Sequence, residues 1–316
     1  MSRWLLLAGM LLQSPVFAAT YPERAVTLIE PLATRVEFGK SLAASAPKFL
    51  NQPVQIETRF GESGAVGAAA VRNARPDGYT LLLGRPASQF IRPAMAPETP
   101  YRWNDFTVLG VLEIDPLICA VKAESPYQTA RDLLDAIRKN PGSLKYASVG
   151  VTTITHLGVQ YMLHLAGARR DAAVGVHFEN GQQAVQALLN DKVQFVCTVG
   201  GVIEPIKAGQ LRGLFSTAPG RLPALPQLPN ASEAGLRDMG RIVGWTALFG
   251  PRGLPADVVK RWRDVLSKVS RDPEWLASNE RFGGLPAIRT MSDPEQFMRD
   301  QFALYDQLIT TLDLAR

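Results

Sequence analysis

The sequence predicts an α/β protein with mostly parallel sheets, divided into two lobes. Three observations predict this fold class. Short apolar runs alternate with segments of helical spacing, the chain has 316 residues, and its pattern changes near the middle. A chain of this length can bury two separate cores, and its 46% apolar and 20% charged content is typical of a globular protein.

Apolar runs bounded by turn residues predict the strands, and apolar positions three and four apart predict the helices. Strands are expected at 26–31, 54–58, 80–83, 117–121, 144–148, 174–178, 193–197, 211–216 and 243–249. Helices are expected at 39–49, where Pro47 kinks or shortens the helix, from 61–67 onward, at 125–139, at 157–165, around 184–189, at 256–270 and at 293–312. Pro219–Pro229 carries four prolines and predicts a rigid surface excursion.

The N-terminus has the pattern of a signal peptide over residues 1–18. Arg3 provides the positive charge, Trp4–Leu12 the apolar stretch, and Val16-Phe17-Ala18 the small-residue exit. A membrane anchor is the alternative, but the apolar stretch is about half of the roughly 20 residues needed to span a bilayer. We therefore expect a soluble protein, exported to the periplasm and cleaved near Ala18.

The charges are mixed and scattered. Removal of residues 1–18 leaves 33 Lys and Arg against 29 Asp and Glu, a net charge of about +4. Without a basic run or an aromatic-interleaved basic stripe, nucleic acid is not an expected partner. A mild positive surplus is compatible with an anionic small ligand. Three histidines, at 156, 164 and 177, are too few for a histidine metal cluster, so we predict no metal and no cofactor.

Two cysteines, Cys119 and Cys197, lie inside apolar strand-like runs. An even number in an oxidising compartment allows one disulfide, and two separately buried thiols are an equal alternative at this point.

The segment from Lys145 to Leu157 concentrates the polar groups. A short strand leads into a tight turn at Gly150, and hydroxyls follow at Thr152, Thr153 and Thr155 where a helix begins. A helix N-terminus has unpaired N–H groups and partial positive charge. Hydroxyls there either cap the helix or help to bind an anion, and the segment alone leaves both roles open.

Two other loops hold glycines or polar residues next to predicted strands. Gly61, Gly64 and Gly67 are three apart and lack the Gly-Lys-Ser/Thr ending of a phosphate loop, which favours close backbone packing at a helix entrance. Arg85 and Ser88 follow the carboxyl end of the third strand, where ligands bind in open α/β sheets. A solvated surface arginine is the alternative role for Arg85.

Several segments in fixed order together resemble one family. They are Tyr21-Pro22-Glu23-Arg24, Asn51-Gln52-Pro53-Val54, Gly61 to Gly67, Pro76-Asp77-Gly78-Tyr79 through Gly84, Asp105-Phe106, Asn140-Pro141-Gly142, Tyr146-Ala147-Ser148 through Leu157, Ile206-Lys207-Ala208-Gly209, and Leu225 to Pro229 through Leu236. The chain resembles the Bug family, the solute-binding proteins of tripartite tricarboxylate transporters, from Tyr21 to about Leu312.

The resemblance implies a two-lobed periplasmic-binding-protein fold of the type II kind, with a ligand cleft between lobes joined by two crossing strands. Lobe 1 would hold 19–117 and 247–316, and lobe 2 would hold 118–246. Cys119 and Cys197 would then lie on neighbouring strands, which implies a disulfide. Loops 34–37 and 84–88 would close against loop 150–155.

The resemblance and the loop chemistry together predict the ligand contacts. These are Thr34, Arg35, Arg85, Ser88, Gly150, Thr152, Thr153, Ile154, Thr155, Phe178 and Thr198. The threonines and nearby N–H groups would hold a carboxylate, and Arg35 or Arg85 a second polar group. The chain departs from the family pattern at Pro31–Phe38, which lacks a glycine pair, at Phe178, where tyrosine is common, and at Thr198, where aspartate is common.

The predicted function is a periplasmic solute-binding protein, expected as a monomer, that captures a small organic acid and works with membrane transporter subunits. A sensor partner of a signalling receptor is one alternative. A periplasmic enzyme is another, disfavoured because no Gly-x-Ser-x-Gly elbow occurs and His156 is the only histidine near a hydroxyl cluster. Dicarboxylates, aromatic acids and amino acids all remain open as ligands, and the altered first loop also allows a ligand without a carboxylate.

Overall fold

The protein is built around one mixed β-sheet. The computed structural model describes residues 21–33, 36–288 and 292–314, and within them the sheet has ten strands. In chain order they are β1 (Val26–Glu30), β2 (Val54–Thr58), β3 (Thr80–Gly84), β4 (Phe106–Lys122), β5 (Leu144–Ser148), β6 (Ala173–His177), β7 (Phe195–Val199), β8 (Leu211–Ser216), β9 (Val243–Pro251) and β10 (Leu285–Pro286).

Helices cover the sheet. They are α1 (Val36–Ser45), α2 (Pro47–Leu50), α3 (Ala65–Arg72), α4 (Arg92–Met95), α5 (Ala130–Lys139), α6 (Ile154–Leu165), α7 (Gly181–Leu189), α8 (Ile203–Lys207), α9 (Ala256–Val269), α10 (Pro273–Phe282) and α11 (Pro294–Thr311). The sequence dictates their ends locally. At α5, the side chains of Thr129 and Asp132 form a reciprocal capping box, and Leu133 and Ile137 face the core.

The strand order is β2-β1-β3-β9-β4-β7-β5-β6, and β8 and β10 pair with β4. Near the two ends of this order, β1 pairs in parallel with β2 and β3, and β5 pairs in parallel with β6 and β7. In the middle, β4 and β9 run antiparallel to each other and to their other neighbours. The predicted parallel pairing therefore holds within each half, and the junction is antiparallel because two long strands cross it in opposite directions.

The result is a two-lobed fold. The 17 residues of β4 pair with β9 along most of their length and with β7 and β8 at their end, so this strand passes from one lobe into the other. Pro47 separates α1 from α2, as the sequence predicted. The residue bounds predicted for the lobes stay a prediction.

The sequence analysis missed α10 and β10, and it found only the end of β4. A start and a stop signal for α10 were present. Asp272 is the N-cap, with its side chain accepting from Glu274 N–H, Pro273 is the first helical residue, and Gly283 ends the helix at φ +73°. The first part of β4 lacks a clear period-2 pattern because both of its faces are largely buried.

Cys119 and Cys197 form a disulfide. The two residues lie directly opposite each other where β4 pairs with β7. The bridge implied by the family resemblance is therefore confirmed, and it fastens the crossing strand β4 to the sheet of β5–β8.

The predicted signal peptide, residues 1–18, lies outside the described residues. Among the helices that the structure describes, none is long and apolar enough to cross a membrane.

Candidate functional site

A cavity of about 800 Å³ lies between the two lobes. Loops after β1, β2 and β3 form one wall, loops after β5, β6 and β7 the other, and Asp115, Gly244 and Trp245 of the crossing strands lie at their junction. This is the carboxyl end of the parallel strands, and the volume lies within the range of small-molecule sites.

The sequence-predicted residues fall into three groups. Arg85, Thr153, Ile154, Thr155 and Thr198 line the cavity. Ser88, Gly150, Thr152 and Phe178 are not among its lining residues. Thr34 and Arg35 lie outside the described residues. Whether the lining residues contact a ligand remains a prediction.

The hydroxyls of the β5–α6 loop form a closed chain of hydrogen bonds. Val149 N–H donates to Thr155 Oγ1 over 3.1 Å, and Thr153 Oγ1 donates to Gly150 O over 2.6 Å. The two threonine oxygens lie 2.9 Å apart. Because a hydroxyl has one proton and that of Thr153 is used on Gly150 O, Thr155 must be the donor to Thr153.

These hydrogen bonds leave the hydroxyls of Thr153 and Thr155 in neither of the two roles that the sequence left open, helix cap or donor to an anion. Thr153 is the N-cap residue of α6, yet its side chain makes no capping hydrogen bond within the described part of the chain. Its hydroxyl closes the loop instead. Both hydroxyl protons are used internally, so these threonines accept hydrogen bonds at their lone pairs but have no proton left for a carboxylate.

The donors that remain in this loop are backbone groups. The helical ladder of α6 begins with Leu157 N–H to Thr153 O, so the N–H groups of Ile154 and Thr155 precede it. A second helix, α7, also begins at the cavity, where Gly181 and Gln182 line it after the N-cap Asn180. Two helix N-termini therefore direct positive partial charge at one cavity, which favours an anion.

Thr198 at the end of β7 offers a further donor. Its side chain lines the cavity and is 3% exposed, and no hydrogen-bond partner for its hydroxyl is found among the described residues. A buried hydroxyl with an available proton can donate to a ligand oxygen.

Arg85 is held by a carboxylate of the protein. Its guanidinium makes a bidentate ion pair with Glu30, through Nη1 to Oε1 and Nη2 to Oε2, and the second distance is 3.0 Å. Glu30 is 0% and Arg85 5% exposed. The arginine is therefore not the solvated surface residue that the sequence allowed. Its charge at the cavity wall is already compensated.

Ser88 and Phe178 have structural surroundings. The Ser88 hydroxyl lies 3.2 Å from the backbone N and O of Arg85, and Ser88 is fully buried behind Gly64. Phe178 packs against the apolar core of the β5–β8 lobe. Thr152 Oγ1 lies 2.5 Å from Ser63 Oγ, across the cleft.

The sequence analysis missed several cavity residues. Asn180, Gly200 and Gly201 follow strands and could have been found from the rule on strand ends. Trp245 and Arg281 gave no comparable signal, because a buried tryptophan and an exposed helix arginine are ordinary in any sequence.

The histidines lie behind the loop and outside the lining residues. Tyr146 Oη lies 2.9 Å from His156 Nδ1, and Ser148 Oγ lies 2.6 Å from His177 Nδ1. Burial, with smaller contributions from the nearby His177 and Arg170, lowers the pKa of His156 to about 4. The Ser148–His177 contact is a serine–histidine pair that the sequence did not predict, but neither residue lines the cavity.

Comparisons with known proteins agree with this geometry. The sequence profile described as "Tripartite tricarboxylate transporter family receptor" matches residues 39–314. The chain belongs to this family. The predicted family and two-lobed fold are confirmed, and the chain is a binding protein of this family and not an enzyme.

The chain is similar to a UPF0065 protein of Bordetella pertussis, with 26% identity over 98% of this chain and 95% of that protein. Among solved structures it is similar to the periplasmic binding protein BugD, with a TM-score of 0.82 and 23% identity, covering 93% of this chain and 99% of that one. A Rhodopseudomonas palustris protein, MatC with bound malate, has a TM-score of 0.81 and 24% identity over 92% of this chain and 100% of that one. An R. palustris protein with adipate has a TM-score of 0.82 and 23% identity over 93% and 99%.

Proposed function

We propose that this chain captures a small organic acid in the interlobe cavity and delivers it to the membrane subunits of a tripartite tricarboxylate-type transporter. It would do so as an exported periplasmic protein, after cleavage near Ala18, with lobes at 19–117 plus 247–316 and at 118–246. Malate in MatC and adipate in another structural neighbour support a carboxylate as the ligand class.

The observation that carries the proposal is the pair of helix N-termini at one cavity. The N–H groups of Ile154 and Gly181 begin α6 and α7 on the same wall, and both residues line the cavity. Thr198 adds a hydroxyl proton. An anion needs such donors because each carboxylate lone pair left unpaired in a closed site costs about 1–3 kcal/mol.

The donor set also indicates how many carboxylates the cavity would hold. The charge of Arg85 is compensated by Glu30 and is therefore not available to a second carboxylate. We therefore expect one carboxylate to be held by α6, α7 and Thr198, with the rest of the ligand along apolar residues such as Leu32 and Trp245.

A thermal-shift screen tests the ligand class. The protein is melted with mono- and dicarboxylates, malate and adipate included, and with the neutral amide of each acid. At least one acid should raise the melting temperature in proportion to the logarithm of its concentration, and its amide should not. A screen in which no acid binds, or in which amides bind equally well, would contradict the proposal.

A variant then tests the site. Thr198→Val should weaken the best acid of the screen about ten- to a hundred-fold by calorimetry, the size expected for one charge-assisted hydrogen bond of about 1.5–3 kcal/mol. Thr27→Val, on β1 and outside the cavity lining, is the matched control and should leave affinity unchanged. Equal affinities for both variants would remove Thr198 from the site.

A sensor role remains the alternative, because both roles use one cleft. Deletion of the gene should abolish uptake of the acid identified by the screen. Normal uptake with a lost transcriptional response to the same acid would favour the sensor.

A further inference from the structure

Two direct contacts between the lobes cross the cleft, one on each side of the cavity. On one side Ser63 Oγ lies 2.5 Å from Thr152 Oγ1. On the other, Gly283 at the end of α10 lies against Ile203 at the start of α8. Ser63 and Ile203 also line the cavity, so both contacts border it. Neither contact needs a ligand atom.

The loop that carries Ser63 is shaped for this contact. Four consecutive residues, 61–64, have positive φ angles of 131°, 49°, 54° and 93°, and the middle two are Glu62 and Ser63. Residues other than glycine rarely adopt positive φ angles, and a strained backbone persists only where its surroundings hold it. Arg92 pairs with Glu62 over 3.1 Å, and Ser88 packs behind Gly64, so both neighbours support the loop in this position.

The second contact, between Gly283 and Ile203, is tightly packed. A Cβ built on Gly283 would lie 2.3 Å from Ile203 Cδ1 and 3.7 Å from Gly200 Cα. α10 belongs to the β1–β3 lobe, where Trp275 packs edge-on against Phe38 of α1 with ring centroids 4.9 Å apart. Ile203 belongs to the core of the β5–β8 lobe. The two lobes are therefore in contact here, and a side chain at position 283 would have to displace the tip of Ile203.

We infer that the Ser63–Thr152 hydrogen bond and the Gly283–Ile203 seam act as positioning contacts that stabilise the closed form of the cleft. Together they set how much binding energy a ligand must supply. Apparent affinity scales with the fraction of binding-competent protein, so loss of these contacts lowers affinity by shifting the open–closed equilibrium. The consequence for affinity rests on the proposed function, but the closure itself does not.

Disulfide trapping tests the closure directly. Ser63→Cys/Thr152→Cys protein, with its native Cys119–Cys197 bridge intact, is oxidised with no acid added. The new bridge is located by peptide mapping of unreduced protein. It should form within one molecule, because the side-chain oxygens that the sulfurs replace are in contact. Absence of the bridge, or its appearance only after an acid is added, would overturn the inference.

Alanine substitutions at two separate glycines, Gly283 and Gly209, test the seam and supply its matched control. Gly283→Ala in the double-cysteine protein adds a methyl group into the seam and should slow trapping about tenfold, the effect of a 1.4 kcal/mol shift in the open–closed equilibrium. Gly209→Ala places the same methyl at φ +69°, close to the +73° of Gly283, where no atom lies within 4 Å. It should leave the trapping rate unchanged.

The outcomes separate the two proposals. Equal trapping rates for Gly283→Ala and Gly209→Ala, with both proteins folded by circular dichroism, would overturn the role of the seam. Fast ligand-free trapping of a protein that binds no acid in the thermal-shift screen would support closure and contradict the proposed function.

Discussion

The Glu30–Arg85 pair at the cavity wall gives a prediction whose magnitude follows from burial. Glu30 is fully buried and Arg85 is 5% exposed, and Glu30 Oε1 also accepts a hydrogen bond from Leu32 N–H over 3.0 Å. Glu30→Leu would leave a buried guanidinium without its counter-charge and would remove the acceptor of Leu32. Removal of one partner of a buried ion pair costs about 3–5 kcal/mol.

This loss is large enough to measure by melting. Unfolding entropy scales with chain length, so about 3–5 kcal/mol corresponds to a fall of about 5–8 °C in the melting temperature of a 316-residue chain. Differential scanning calorimetry is the assay. The double variant Glu30→Leu/Arg85→Met should recover most of the loss, since two apolar residues of similar volume replace both charges.

A second ion pair near the same end of the sheet provides the control. Glu57 and Arg59 form a pair whose side chains are both 46% exposed. Glu57→Gln should change stability by less than about 1 kcal/mol, because solvent screens such pairs. If Glu30→Leu costs no more than Glu57→Gln, or if the double variant is as unstable as the single one, then burial of the charge pair does not govern this wall.

Two further predictions concern covalent and acid stability. Replacement of both disulfide cysteines by alanine, Cys119→Ala/Cys197→Ala, should lower the free energy of unfolding by about 4–5 kcal/mol. This is the entropy of closing a loop between residues separated by 78 positions. Denaturant titration measures the loss, and a value below about 1 kcal/mol would contradict the bridge. Burial and nearby positive charge lower the pKa of His156 to about 4, below its ordinary value of 6.5. As the pH falls from 6.5, the imidazole therefore takes up a proton in the unfolded chain before it does so in the folded one. The free energy of unfolding should fall by about 3 kcal/mol between pH 6.5 and about pH 4. His156→Gln should remove that part of the acid loss in melting curves between about pH 4 and pH 7, and an unchanged pH profile would show that the histidine is not buried.

The sequence predicted the outer parts of the fold better than its centre. Each parallel strand of the lobes is a short apolar run with turn residues on both sides, and local pattern is enough to find it. The crossing strand β4 is different. Its 17 residues are buried on both faces, which leaves no alternation to detect, and only its last part looks like an isolated strand. That two strands cross between the lobes was predicted only from the family resemblance.

The site shows a similar division. The hydroxyls at a helix start indicated Thr153, the family resemblance indicated Thr198, and the rule that ligands lie beyond the carboxyl ends of strands located Arg85. It could not reveal that Glu30 neutralises Arg85, since the two residues are 55 positions apart and meet only when β1 pairs with β3. Which charged residues form an ion pair between two strands depends on the register in which the strands pair, and sequence periodicity does not reveal that register.

The threonine loop shows why residue type alone misjudges chemistry. Three threonines at a helix start indicate three donors, but a hydroxyl has one proton, and the fold determines where that proton goes. Thr153 uses it on Gly150 O, Thr155 on Thr153, and Thr152 shares a hydrogen bond with Ser63. For an anion in this cavity, the donors that remain include the N–H groups of α6 and α7, the Thr198 hydroxyl and the buried Nε1 of Trp245, which has no hydrogen-bond partner among the described residues. Backbone donors recognise the charge and position of a carboxylate but do not discriminate the group attached to it. Under the proposed function, we therefore expect ligand choice to depend on the side chains that line the rest of the cavity, Leu32 and Trp245 among them.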